Sequence, residues 1–101
     1  MERKPYSPEK KGKPSEPTAE ELKSQTLKWL SKLEREIKTM KSTGRLPEQQ
    51  YKSLTTNMRA YVKDARHFMR KGDWVRAFEA VIYAWGILDT GRRCGIIKEP
   101  K

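Results

Sequence analysis

Residues Lys71 to Gly91 read Lys-Gly-Asp-Trp-Val-Arg-Ala-Phe-Glu-Ala-Val-Ile-Tyr-Ala-Trp-Gly-Ile-Leu-Asp-Thr-Gly, and they constrain the fold more than any other segment. Gly72 suits the left-handed residue that ends a helix. Asp73 is a preferred N-cap, so a helix stop and a helix start adjoin with almost no loop between them. A connection that short makes the two helices antiparallel neighbours. At about 100° per residue, Trp74, Ala77, Phe78, Val81, Ala84, Trp85 and Leu88 share one face of the later helix. Val75 and Ile82 flank that face on one side, and Ala80 and Ile87 on the other. The apolar arc is wider than two neighbours in a three-helix bundle need to cover. Either this helix is central, or part of its flank is an interface.

Two further helices precede this one. Thr18 followed by Glu21 forms a capping box, in which each side chain satisfies the other residue's free backbone donor. Leu22, Thr26, Trp29, Leu30, Leu33, Ile37 and Met40 then recur at three- and four-residue steps as one buried stripe. Gly44 is the expected stop, which puts the first helix at about 18–43. Pro47 suits a first helical position, and Tyr51, Leu54, Met58, Tyr61, Val62, Ala65, Phe68 and Met69 continue with the same period over 47–71. The third helix spans 73–91, with Gly91 as its stop. Arg92 to Lys101 is expected to fray, with Ile96 and Ile97 folded back onto the bundle. The predicted fold is all-α: an up-and-down three-helix bundle over 18–97, a basic arm over 1–17 and a short tail over 98–101.

The chain has 101 residues, 35% of them apolar and 36% charged, which suits one small domain with a modest core. Its 23 Lys and Arg outnumber 13 Asp and Glu, a formal charge of +10 that favours polyanionic partners such as RNA. Cys94 is the single cysteine, so an intramolecular disulfide is excluded and a reducing, cytoplasmic setting is the expectation. The apolar run Ala80 to Leu88 is far shorter than the roughly 18 residues of a membrane span. No apolar stretch follows the basic N-terminus as a secretory signal would require. Neither membrane nor small-molecule substrate is expected as a partner.

Residues 1 to 17 hold Pro5, Pro8, Pro14 and Pro17, with Arg3, Lys4, Lys10, Lys11 and Lys13 as their basic residues. Such a stretch has too little apolar surface to offset the entropy of ordering it. It is either a solvated leader or a basic arm that orders on nucleic acid, its prolines keeping it extended.

Catalytic chemistry has little to use. His67 is the only histidine and points away from the apolar stripe, and Cys94 has Arg92 and Arg93 beside it but no histidine base near in sequence. There is no phosphate-cradling glycine loop and no metal-ligand spacing, so neither enzyme activity nor a cofactor is expected. The basic residues of the second helix are better organised. Lys52, Arg59, Lys63, Arg66 and Arg70 fall within roughly 60° around the helix and form a stripe about 27 Å long. Asp64 lies on the opposite flank. A single-signed stripe can follow a phosphate backbone and release counterions, and arginine forks suit phosphate. On the first helix, Lys28, Lys32, Arg35 and Lys38 are interleaved with Glu20, Glu21, Glu34 and Glu36, as in an ion-paired surface.

The third helix carries the competing signal. Tyr83 stands on its polar back, and Gly86 costs about 1 kcal/mol relative to alanine, which suggests a close approach from outside. Ile82, Tyr83, Gly86 and Ile87 are the candidate protein interface. Asp89 opposes the helix dipole unless Arg93, one turn on, pairs with it.

The stretch Lys71 to Ala80, with Tyr83-Ala84-Trp85-Gly86 and Leu88-Asp89-Thr90-Gly91, resembles the signature of a small archaeal family of unknown function. Tyr61 to Arg70 resembles it too. The likeness is specific over about 57–97 and looser across the first helix. It implies a three-helix up-and-down bundle in an archaeal cytoplasm, and it brings no established activity and no functional residues. The expectation is a non-enzymatic RNA-binding accessory protein of the ribosome or another ribonucleoprotein. The alternative is a protein-interaction or homo-oligomeric module using the flank of the third helix.

Overall fold

The computed structural model describes residues 18–100, which form three helices: α1 (Ala19–Thr39), α2 (Glu48–Arg70) and α3 (Trp74–Arg93). The basic arm expected over residues 1–17 lies outside the described residues. Lys23 of α1 meets Trp74 and Glu36 meets Arg92, so α1 runs parallel to α3. Tyr61 of α2 meets Tyr83 and Phe68 meets Arg76, so α2 runs antiparallel to it. The arrangement is the expected up-down-up bundle.

Local chemistry sets most of the boundaries. The Thr18 hydroxyl accepts from the Glu21 amide at 3.0 Å and the Glu21 carboxylate accepts from the Thr18 amide at 3.1 Å, completing the capping box. Between α2 and α3, Asp73 N–H donates to Phe68 O at 2.9 Å and Gly72 N–H to Met69 O at 3.0 Å. This is a Schellman motif, made possible by the positive φ of Gly72, 77°. The Asp73 side chain then accepts from the Arg76 amide at 3.1 Å. One residue thus closes α2 and caps α3.

Two ends differ from the expectation. α1 stops at Thr39 and not at Gly44, because residues 40–43 leave the helix to pair with the C-terminal segment. Ser42 and Ile97 form an antiparallel bridge, Thr43 N–H donates to Ile96 O at 3.1 Å, and Lys98 N–H donates to Lys41 O at 2.8 Å. Gly44 has the positive φ expected of it, in the turn that follows. α3 runs through Gly91 to Arg93. Its stop is Gly95, at φ 72°, where a second Schellman motif joins Ile96 N–H to Gly91 O and Gly95 N–H to Arg92 O. The segment expected to fray is pinned, and Ile97 is buried in the core. At α2, Pro47 is the N-cap and Glu48 the first helical residue.

Helix α3 is central and packs on both of the others, whereas α1 and α2 seldom approach each other closely. Ala77, Ala80 and Ala84 make this possible, since small side chains bring helix axes together, and all three are buried. Leu33, Met58, Val81, Leu88 and Ile97 fill the core between them. Each such buried side chain contributes about 1.5–3 kcal/mol of transfer free energy. Thr26 is buried among them and its hydroxyl donates to Leu22 O at 2.7 Å, so it leaves no unmet polar group. Trp85 crosses from α3 to α1: its indole N–H donates to Trp29 O at 3.1 Å, and the two rings meet edge to face at 5.8 Å.

Candidate nucleic-acid interface

The spacing that buries Met58 and Ala65 of α2 turns Lys52, Arg59, Lys63, Arg66 and Arg70 outward, and all five are exposed. They do not form the uninterrupted stripe that α2 alone suggests. Arg66 pairs with Glu34 of α1, and Lys52 lies 3.9 Å from Glu48 one turn earlier. Arg59, Lys63 and Arg70 have no acidic partner within 4.0 Å among the described residues. Their span along the helix is about 17 Å.

The α1 side changes the picture further. Because α1 and α2 stay apart, an open groove of about 520 Å³ runs between them, lined by Ser31, Glu34, Arg35, Ile37, Lys38, Arg59 and Val62. Glu34 is neutralised by Arg66, and Glu36 points to α3, where its carboxylate meets Arg92 at 2.5 Å. Two of the four acids that made α1 look ion-paired, Glu34 and Glu36, are therefore engaged across helices, and Arg35 and Lys38 have no acidic partner among the described residues. These two are the site residues that α1 read alone conceals. The three- and four-residue steps Ser31, Arg35, Lys38 are the signal that points to them.

One aromatic of α2 feels the charge of Arg59. Burial pushes the Tyr51 hydroxyl above its usual 10.0, and the charge of Arg59 pulls it part of the way back. Two lysines of α1, Lys28 and Lys32, sit over the Trp29 ring at 5.4 and 4.9 Å. That placement suits a weak cation–π contact.

The remaining candidates fall elsewhere. Arg3, Lys4, Lys10, Lys11 and Lys13 lie outside the described residues. On α3, Ile82, Tyr83 and Gly86 are exposed, but Ile87 is half-buried against the core and is not part of an outward surface. Tyr83 stacks on Tyr61 at 5.5 Å. Asp89 accepts from Arg93 Nε at 3.0 Å, the pairing its position calls for. His67 and Cys94 are exposed. Among the described residues no cluster of His, Cys, Asp or Glu is arranged to hold a metal, and no helix is long and apolar enough to cross a membrane.

A three-helix domain with a central α3, a basic groove on one side and no strands among its described residues is a small helical module of high positive charge. The chain belongs to the family described as "Protein of unknown function (DUF357)", which matches residues 28–97. It is similar to the crystal structure of protein AF1782 from Archaeoglobus fulgidus, with 39% identity and a TM-score of 0.68. That match covers 81% of this chain and 97% of the archaeal one. No curated protein matches the chain.

Proposed function

We propose that this protein is a non-enzymatic RNA-binding accessory protein of an archaeal cytoplasm, seated on the ribosome or another ribonucleoprotein. The observation that carries the reading is the pair of groove walls. Arg35 and Lys38 on α1 face Arg59 on α2, with Lys63 and Arg70 continuing the α2 row, and none of the five has an acidic partner among the described residues. A phosphate backbone lying along the groove meets guanidinium forks from both sides. The arm residues Arg3, Lys4, Lys10, Lys11 and Lys13 add further positive charge to the chain. Backbone contacts of this kind position a protein without reading bases, so affinity depends on RNA shape and salt more than on sequence.

The test is a titration of labelled single-stranded RNA at graded salt with wild type and with Arg59→Gln, Lys63→Gln and Arg70→Gln combined. Each phosphate contact contributes about 0.7 to the salt slope on a single strand, so losing three lowers it by about 2 and greatly weakens binding. Wild-type binding by the triple variant overturns the proposal. Sucrose-gradient sedimentation of host lysate then asks whether the RNA is ribosomal, through co-migration with subunits that high salt abolishes.

A further inference from the structure

Gly86 is exposed in the middle of α3, and a Cβ built on it meets nothing within 4 Å. No contact inside the described chain requires its smallness, and a glycine there weakens the helix. On the same outward side, Val75, Ile82 and Tyr83 are 59%, 46% and 63% exposed. Glu79 lies seven residues before Gly86 and Arg93 seven after it, both exposed. Seven residues make nearly two turns, so the three stand in one line along the helix.

We propose that this face pairs with the same face of a second copy, the two α3 helices crossing antiparallel with a two-fold axis at Gly86. In such an isologous contact each residue meets the one equally far on the other side of the axis. Glu79 then faces the partner's Arg93, twice by symmetry. Ile82 packs on the partner's Thr90, Tyr83 reaches the partner's Asp89, and the paired glycines let the backbones approach. Charge selects a second copy as the occupant. On a chain of net charge +10 most of the surface repels its like, whereas this face sets Glu79 and Asp89 beside Arg93. The axis lies on the far side of α3 from the α1–α2 groove, so the dimer displays two basic grooves facing away from each other. One helix face offers less than the roughly 800 Å² a side of a standard interface, which makes the dimer reversible and dependent on concentration.

Sedimentation equilibrium of the full-length, RNA-free protein under reducing conditions tests this. The wild-type mass rises with concentration toward twice the 11.9 kDa of one chain. Gly86→Leu and Ile82→Asp, both at exposed positions, weaken association at least tenfold while the helical circular dichroism is unchanged. Glu79→Arg alone weakens it, and adding Arg93→Glu restores it. A wild type that stays monomeric at all concentrations overturns the proposal, as does a dimer indifferent to these changes.

Discussion

Ile97 lies over Gly91 so closely that a Cβ at position 91 would sit 2.5 Å from its Cδ1 and 3.0 Å from its Cγ1. The isoleucine has little room to withdraw. It is 1% exposed, its amide donates to Gly91 O at 3.0 Å, and its backbone is bridged to Ser42. Gly91 is thus the place where the C-terminal segment meets α3, and through Ser42 that contact also fixes the end of α1.

The two glycines inside α3 therefore respond oppositely to one added methyl group. Gly91→Ala destabilises the protein by about 1–2 kcal/mol, because overpacking exceeds the gain in helix propensity. Gly86→Ala has open space and stabilises the monomer by about 0.5–1 kcal/mol. Thermal unfolding reads both, at about 4–8 °C per kcal/mol for a domain this size. A Gly91→Ala protein as stable as wild type would show that Ile97 relocates without cost.

Glu34→Gln separates stability from RNA affinity. The Glu34 and Arg66 side chains are 37% and 48% exposed, and a pair this open is worth about 0–1 kcal/mol. The substitution leaves the thermal midpoint nearly unchanged. It also removes the one carboxylate from the groove wall and releases Arg66 for phosphate. RNA binding tightens, and the salt slope on a single strand grows by about 0.7. Weaker binding by Glu34→Gln would mean that RNA needs Arg66 held where Glu34 holds it.

What the sequence discloses about this fold is what neighbouring residues decide among themselves. Thr18 with Glu21, and Gly72 with Asp73, act within one helical turn, and both behave as their spacing requires. The end of α1 is hidden because residue 42 is drawn out of the helix by Ile97, far away in the chain. Gly91 misleads because a helix stop and a close-packing contact call for the same residue type, and the actual stop at Gly95 sits beyond it. The site is legible to the same degree. Exposure of the α2 row follows from its period, but the partner of Arg66 sits on another helix, and so does the Arg92 that engages Glu36 of α1. Ile87 and Ile82 flank the same apolar arc, and only the packing of the helices determines that Ile87 lies against the core while Ile82 is left in solvent.

Tyr51 gives the pH dependence a definite sign. Burial raises its folded-state pKa above 10.0, with Arg59 opposing in part. Below pH 10 the hydroxyl is protonated in both folded and unfolded chains, and the stability associated with the neutral, half-buried phenol is fully present. As pH rises past 10 the unfolded chain ionises first, and this stability is lost until the folded phenol ionises too. Urea unfolding from about pH 8 to pH 11 will show wild type losing stability faster than Tyr51→Phe above pH 10, with the two curves parallel below it. Arg59→Gln removes the one influence that lowers the pKa, so the loss continues to higher pH. Identical alkaline slopes for wild type and Tyr51→Phe would place the ring in solvent.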